Sequence, residues 1–245
     1  RAASGSFTLE PLEQASLTAW TRLYKADENT PNASISYYTK GALFAWVLDV
    51  ALRCRSADSI SLDDVLRSMW RDFGQQGRGV PECGVEAWLT AVTGVDLDDV
   101  FTAGLRSCKD LPLAETAAAL GLNVHWSAGQ DLPWLGAEVR AGAQGAAVLG
   151  TVYRDSAAEW AGLAPQDELL ALNGLRVNRA NLEGVLRRYR AGDVVELHVF
   201  RRDELLPVSL TLQQPPKTQA GLRPMQGADA QQLARLRAWS GVELT

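Results

Sequence analysis

The feature that most constrains the fold is a change in hydrophobic periodicity near residue 127. Before it, apolar residues recur at the three- and four-residue spacing of helices. After it, they form short β-rich runs separated by turn signals. Two such patterns predict a multi-domain protein with separate α and β parts. We expect an all-α helical bundle over residues 1–127, a β-sandwich or barrel with two helices over 128–215, and a tail over 216–245 with a short helix.

The helical part contains one segment that is apolar on nearly every side. Residues 37–54 predict a long, mostly buried helix. Ser61 followed by Asp64 is a capping-box variant, with Asp in place of Glu, and predicts the start of the next helix. A helix over residues 12–24 is also expected, with one buried face formed by Leu17, Trp20 and Tyr24.

The β part has a recognisable order of strands and turns. Residues 146–153 and 194–200 are rich in β-formers, and residues 205–212 alternate as a half-buried strand does. Asn173-Gly174 is a strong signal for a tight turn. Residues 181–189 predict a helix between these strands.

Composition excludes several classes of function. A net charge of -5 argues against non-specific nucleic-acid binding, which needs a basic face. No apolar run reaches the roughly 18 residues of a membrane span. Cys54, Cys83 and Cys108 lack C-x-x-C spacing, so we expect buried thiols and no metal site in this chain.

The long helix opens on an unusual motif, Ser36-Tyr37-Tyr38-Thr39-Lys40-Gly41. Adjacent side chains on a helix point about 100° apart, so only one of the two tyrosines can face a given site. From the residues alone, both rings could equally be aromatic core with locally satisfied hydroxyl groups. Lys40 is expected to extend its ammonium group to solvent.

The motif stands in a longer series of matches. In order, these are Trp20, Tyr24, the D-E-N-T-P-N segment at 27–32, the Tyr-x-Lys-Gly motif, the S-L-D-D-V segment at 61–65 and T-G-V-D-L at 93–97. Together they resemble the C-terminal helical part of the catalytic domain in the glycyl aminopeptidase family, which are zinc peptidases of the thermolysin-like (gluzincin) type. The resemblance implies that the Tyr38 hydroxyl stabilises the oxyanion formed when zinc-activated water attacks a peptide carbonyl. Tyr37 is the alternative.

The zinc-binding motif of that family is missing from this sequence. Such enzymes need H-E-x-x-H on a helix, whereas His125 and His198 are far apart and lie in strand patterns. We therefore expect a C-terminal part of a metallo-aminopeptidase, with zinc bound only in the intact enzyme and no activity by itself. Its expected partners are the missing N-terminal part of the catalytic domain and, through an exposed helical face, a second copy.

The second part resembles a PDZ domain. Trp134-Leu135-Gly136-Ala137 stands where the carboxylate-binding loop should be, Tyr153 begins an S-x-A-x-x-A-G-L-like segment, and residues 167–174 match the following strand and turn. The resemblance implies a groove for peptides or protein C-termini. The residues implied are Leu135, Gly136, Ala137, Leu182 and Leu186.

Two readings of the function follow from these resemblances. In the first, the chain is part of an aminopeptidase for N-terminal small residues such as glycine, and the PDZ-like part binds peptides or gates substrate access. In the second, it is a stand-alone PDZ-containing adaptor. The compartment stays open between the bacterial periplasm or envelope and the cytoplasm.

Overall fold

The structure, a computed structural model, describes residues 8–82, 84–129 and 131–241. Residues 1–7 and Cys83 lie outside this part. Helices and antiparallel sheets are mixed in it. Its ten α-helices are α1 (Leu12–Leu17), α2 (Thr30–Ala33), α3 (Tyr37–Arg55), α4 (Leu62–Asp72), α5 (Val85–Thr93), α6 (Asp98–Phe101), α7 (Leu113–Ala119), α8 (Ala157–Trp160), α9 (Leu182–Leu186) and α10 (Ala230–Ser240).

The strands form two sheets. They are β1 (Leu122–Ser127), β2 (Ala137–Ala141), β3 (Ala147–Val152), β4 (Glu168–Leu172), β5 (Leu175–Arg176), β6 (Val194–Arg201), β7 (Glu204–Thr211) and β8 (Gln219–Pro224). The larger sheet has the order β2-β3-β4-β6-β7, with β5 paired to β4, and all of these pairs are antiparallel. β1 and β8 pair in a separate two-stranded sheet.

The described part of the chain divides into two compact units. The helical unit contains Glu10–Leu17, Ser36–His125 and the segment that begins at Ala220, whereas the sheet unit contains Thr18–Ile35 and Trp126–Gln219. Neither unit is one continuous stretch of sequence. The domain boundaries expected at 127 and 215 stay a prediction.

In the helical unit, α3 is buried on two sides. Phe44, Val47 and Leu52 belong to the main core cluster, whereas Val50 packs into a second cluster with residues of α7, β1 and α10. This explains why the sequence of α3 has almost no polar stripe and confirms the expectation of a mostly buried helix.

Helix α4 begins where the sequence predicts. The Ser61 hydroxyl accepts the Asp64 N–H, and the Asp64 carboxylate accepts the Ser61 N–H in return, so two of the helix's first N–H groups are satisfied. The capping-box variant is therefore confirmed.

The C-terminal helix belongs to the helical unit. Arg235 of α10 forms a two-point ion pair with Asp58, at 2.6 and 2.9 Å, and donates to the Ala119 carbonyl at 2.9 Å. A charged guanidinium with three satisfied contacts can be buried at low cost. This contact set ties α10 to the end of α3 and to α7.

The sheet unit has a single apolar core. Leu149, Leu169, Leu172 and Leu197 are almost completely buried in it. The predicted turn lies between β4 and β5, where Asn173 and Gly174 both have positive φ, at 47° and 74°. That conformation suits a tight hairpin, and the Asn-Gly pair tolerates it.

Three expectations are corrected by the structure. Helix α1 ends at Leu17, and Leu17, Trp20 and Tyr24 are exposed instead of sharing a buried face. Cys54 and Cys108 are exposed rather than buried. An all-helical first part is not confirmed either, because residues 122–127 form β1.

None of the described helices combines the length and the apolar character that a membrane span requires.

Candidate functional sites

The first candidate site is the first turn of α3. Ser36 has extended backbone angles, and its hydroxyl accepts the Thr39 N–H at 3.3 Å, which makes it the N-cap. The rings of Tyr37 and Tyr38 stack with centroids 4.3 Å apart. Tyr37 packs against the helical core, whereas Tyr38 is 61% exposed. Of the two tyrosines, Tyr38 therefore faces solvent.

Lys40 follows two residues later and is completely buried. Its ammonium group donates to the Glu10 carbonyl at 3.3 Å. Burial lowers the pKa of Lys40, and the nearby Cys108, Asp110 and Glu10 oppose this by stabilising the charged form. The expectation that Lys40 extends to solvent was wrong. Lys40 stands four and seven residues before Phe44 and Val47 and so lies on the same face of α3 as these two core residues.

The residues present do not fit a zinc ion. Within the part of the chain that the structure describes, no three His, Cys, Asp or Glu side chains are grouped as metal ligands would be. Zinc would need ligands from outside these residues.

The second candidate site is a groove of about 450 Å³ in the sheet unit. Leu135 and Ala137 line one side, and Leu182 and Leu186 of α9 line the other. All four side chains are buried. The structure thus brings together four residues that the sequence places in a peptide groove, and their apolar surface suits an apolar side chain.

Gly136 shapes the loop at the end of this groove. Its φ is +94°, which favours glycine, and an added Cβ would lie 2.6 Å from Ser156. The Gly136 carbonyl accepts the Tyr153 N–H and the Ser156 hydroxyl, each at 3.0 Å. The loop is therefore fixed from its carbonyl side, and no described oxygen accepts the N–H of Leu135 or Gly136.

Strand β2 leaves an edge beside the groove. It pairs with β3 on one side and stands at the end of the sheet order. An exposed strand edge offers N–H and C=O groups to an added strand. The groove could therefore accept an extended peptide by backbone pairing.

Sequence reasoning missed part of the lining. Trp134, Tyr153, Pro215 and Pro216 also face the groove. The rings of Trp134 and Tyr153 lie 5.7 Å apart. The place of Trp134 beside the predicted loop indicates that it lines the groove. No local pattern predicts this for the prolines, because they lie nearly 80 residues after that loop in the sequence.

Asn32 is held against the same unit. Its side-chain amide donates to the Val152 carbonyl at 2.8 Å, and its oxygen accepts the Arg154 N–H at 2.9 Å. The side chain of Asn32 thereby makes one donor and one acceptor contact with the backbone of Val152 and Arg154, as a neighbouring strand would. In the sequence, Asn32 was noticed only as one letter of the D-E-N-T-P-N segment.

Comparison with known proteins agrees with the first resemblance. A family model described as M61 glycyl aminopeptidase matches residues 3–44. The crystal structure of an aminopeptidase N family protein from Idiomarina loihiensis matches 96% of this chain with 31% sequence identity and a TM-score of 0.81. This chain spans 43% of that protein's length.

A second kind of match is shorter. The HtrA-type protease AlgW, solved with a decapeptide, is 25% identical over 35% of this chain and 30% of its own length, with a TM-score of 0.32. No curated protein matches the sequence.

The described residues thus form a helical unit and a sheet unit. The chain is a relative of the M61 glycyl aminopeptidases, and the resemblance predicted from its sequence is confirmed.

Proposed function

We propose that this chain is the C-terminal part of a zinc-dependent aminopeptidase that removes small N-terminal residues such as glycine. The helical unit then belongs to a thermolysin-like catalytic domain, and zinc is held by residues outside those described. Tyr38 stabilises the oxyanion that forms on the substrate carbonyl. The chain by itself holds no zinc and is inactive.

The exposure of Tyr38 carries this proposal. Its ring faces solvent at the N-terminus of a 19-residue helix, whereas Tyr37 packs on the core. A helix N-terminus has a partial positive charge, and a phenol hydroxyl can donate to a developing oxyanion. Both tyrosines lie in this first turn, and the greater exposure of Tyr38 supports it over Tyr37.

The test is the Tyr38→Phe variant of the enzyme that contains this chain. Loss of one oxyanion donor should lower kcat by about 10²–10³-fold while KM changes little. Tyr37→Phe is the matched control, because its ring keeps its packing, and it should retain activity. Equal loss of activity in both variants, or in neither, would contradict the assignment.

The purified chain provides an independent test. It should not hydrolyse a glycyl peptide, with or without added zinc, because it lacks a grouped set of ligands in its described part. Zinc-dependent hydrolysis by the chain alone would refute this part of the proposal.

For the sheet unit, we infer a PDZ-like role in peptide binding. The free edge of β2 and the available N–H groups of Leu135 and Gly136 support capture of an extended peptide with a terminal carboxylate. The same groove would serve a stand-alone adaptor, which is the second candidate function.

A change at Gly136 tests this role. Gly136→Val introduces a branched side chain where even a Cβ would meet Ser156, and it should abolish peptide binding. Circular dichroism establishes that the variant is folded. If the groove serves the peptidase, the variant should also alter kcat/KM for peptides in the intact enzyme. An unchanged kcat/KM together with loss of peptide binding would show that the groove does not serve hydrolysis.

A further inference from the structure

One end of the sheet unit carries a concentration of positive charge. Residues 173–196 contain five arginines and three carboxylates, a net charge of +2, whereas the whole chain has a net charge of -5. Four of the five arginines are exposed, and we call them the arginine patch: Arg176, Arg187, Arg188 and Arg190. The patch is therefore a basic surface on a chain that is otherwise acidic.

Hydrogen bonds bring the two parts of the arginine patch together. The carbonyl of Arg176, in β5, accepts a side-chain N–H of Asn181 just before α9, at 3.1 Å. Beyond the other end of α9, the Tyr189 hydroxyl accepts a side-chain N–H of Asn173, at 3.3 Å. The hairpin that carries Arg176 is thus attached to both ends of α9, and residues 187–190 directly follow that helix.

The charge of the arginine patch is not compensated by ion pairs. Among the residues that the structure describes, no carboxylate lies within ion-pair distance of its four guanidinium groups. The three carboxylates of residues 173–196 contact other groups: Asp193 the backbone N–H of Arg190 at 2.8 Å, Glu183 the side chain of Arg179 at 3.6 Å, and Glu196 the ring of His198 at 3.7 Å. The positive charge of the patch is therefore available to an external anionic partner.

Two exposed apolar side chains lie at the same end of the sheet unit. Leu175 stands beside Arg176 in the hairpin and is 37% exposed, and Val194 at the start of β6 is 65% exposed. The start of β6 adjoins the hairpin, because the Asn173 N–H donates to the Glu196 carbonyl at 2.8 Å. Apolar side chains next to arginines suit the boundary between phospholipid headgroups and acyl chains, where charge and apolar area both contribute to binding.

We propose that the arginine patch, together with Leu175 and Val194, docks the sheet unit on a membrane surface that contains anionic phospholipids. The guanidinium groups bind lipid phosphates, because a planar guanidinium donates two parallel N–H bonds to a phosphate. Leu175 and Val194 enter the interfacial layer beside them. This docking requires neither the groove nor zinc, so it does not rest on the proposed function.

Co-sedimentation with lipid vesicles tests the proposal on the purified chain. Vesicles of phosphatidylcholine alone should not bind it, whereas vesicles of phosphatidylcholine and phosphatidylglycerol in equal parts should. Salt at about 1 M shortens the Debye length to about 3 Å and should release the chain from the anionic vesicles.

A variant without the charges of residues 187–190 tests the arginine patch directly. The combination of Arg187→Gln, Arg188→Gln and Arg190→Gln should bind anionic vesicles about 100-fold more weakly, because each arginine near such a surface contributes about fivefold. Thermal unfolding establishes that the variant is folded.

The matched control removes the same number of charges from another exposed surface. It combines Arg67→Gln, Arg71→Gln and Arg78→Gln, in and after α4. Arg67 and Arg71 lie 3.0 and 3.7 Å from the carboxylates of Asp64 and Asp72, and Arg78 donates to the Asp72 carbonyl at 3.1 Å. This variant should bind anionic vesicles as tightly as the unmodified chain does.

The apolar contribution is measured separately. A variant with Leu175→Thr and Val194→Thr keeps every arginine and should bind anionic vesicles about tenfold more weakly, because less apolar area leaves water. A DNA duplex offers phosphates without an apolar interior, so the unmodified chain should bind it more weakly than it binds the vesicles.

Three results would overturn the proposal. The first is that anionic vesicles do not bind the folded chain at low salt. The second is that the two arginine variants lose equal affinity, since this would reflect the net charge of the chain and not the patch. The third is that the duplex binds more tightly than the vesicles and the Thr substitutions have no effect, which would assign the patch to nucleic acid.

Discussion

The groove of the sheet unit and the first turn of α3 differ in how much of their chemistry lies within this chain. The described residues that line the groove all lie between Gly129 and Thr218, and strand β2 beside it is an edge of the sheet. The first turn of α3 offers Tyr38 but is accompanied by no grouped metal ligands among the described residues. The groove can therefore be tested in the isolated chain, whereas the role proposed for Tyr38 can be tested only in the proposed zinc enzyme.

The sheet unit and the helical unit each bury a charged side chain, and the contacts of these two side chains differ. Asp167 in the sheet unit is completely buried but makes a two-point ion pair with Arg201, with both distances at 2.7 Å. Lys40 in the helical unit is equally buried, and desolvation lowers its pKa. A compensated charge is a structural element. The lowered pKa of Lys40 makes the stability of the folded chain depend on pH.

The largest effect on the unfolding free energy is expected from removing Arg201, the ion-pair partner of Asp167 in the sheet unit. Arg201→Met leaves the Asp167 carboxylate buried without its partner, which should cost about 3–5 kcal/mol of unfolding free energy. Arg140→Met is the control, because its pair with Glu138 is exposed and should contribute about 1 kcal/mol or less. Chemical denaturation measures both, and similar losses in the two variants would contradict the comparison.

The second effect concerns the segment that Asn32 attaches to β3. Asn32→Ala removes the hydrogen bonds to Val152 and Arg154, and two such bonds are worth about 2 kcal/mol together. Thermal unfolding should show the loss, with Asn123→Ala at an exposed position as control. An unchanged melting temperature in Asn32→Ala would mean that the segment is not held by this residue.

The third prediction tests the buried lysine through pH. Because the folded pKa of Lys40 is below the unfolded one, the folded chain binds fewer protons in the interval between the two values. Stability should rise with pH across this interval, by at most about 1.4 kcal/mol per pH unit. Below the interval both states are protonated, and the cost of burying the charge is present in full.

Lys40→Met should remove this rise. Urea denaturation at neutral and alkaline pH gives the unfolding free energy of both proteins, and the difference between them isolates the contribution of Lys40. Burial raises the pKa of Tyr153, so Tyr153 contributes in the opposite direction, but it does so equally in both proteins and cancels. Parallel pH profiles of the two proteins would contradict a pKa of Lys40 that burial lowers in the folded chain.

The smallest effect is expected at the rim of the groove. Arg179 and Glu183 lie 3.6 Å apart with both side chains nearly half exposed. Arg179→Ala should change the unfolding free energy by about 0.5 kcal/mol or less, since exposed pairs are screened by water and salt. A loss that exceeds that of Asn32→Ala would mean that the rim, and not the interior, stabilises the groove.

Some of these features could be predicted from local patterns. The Ser61 cap, the long helix α3 and the Asn173-Gly174 turn depend on neighbours within a few residues, and the structure has all three. The prediction that Leu17, Trp20 and Tyr24 form one buried face was wrong, because helical spacing of apolar residues does not ensure that the helix continues. Periodicity describes what a segment could bury, and the rest of the chain decides what it does bury.

The sequence by itself determined where most helices and strands lie and which motif opens α3. These follow from backbone geometry and side-chain spacing over short distances. Only the tertiary structure decided that Lys40 is buried, that Asn32 pairs with the end of β3 and that Pro215 and Pro216 line the groove. Each of these depends on desolvation or hydrogen bonding between residues far apart in the chain, which no local pattern encodes.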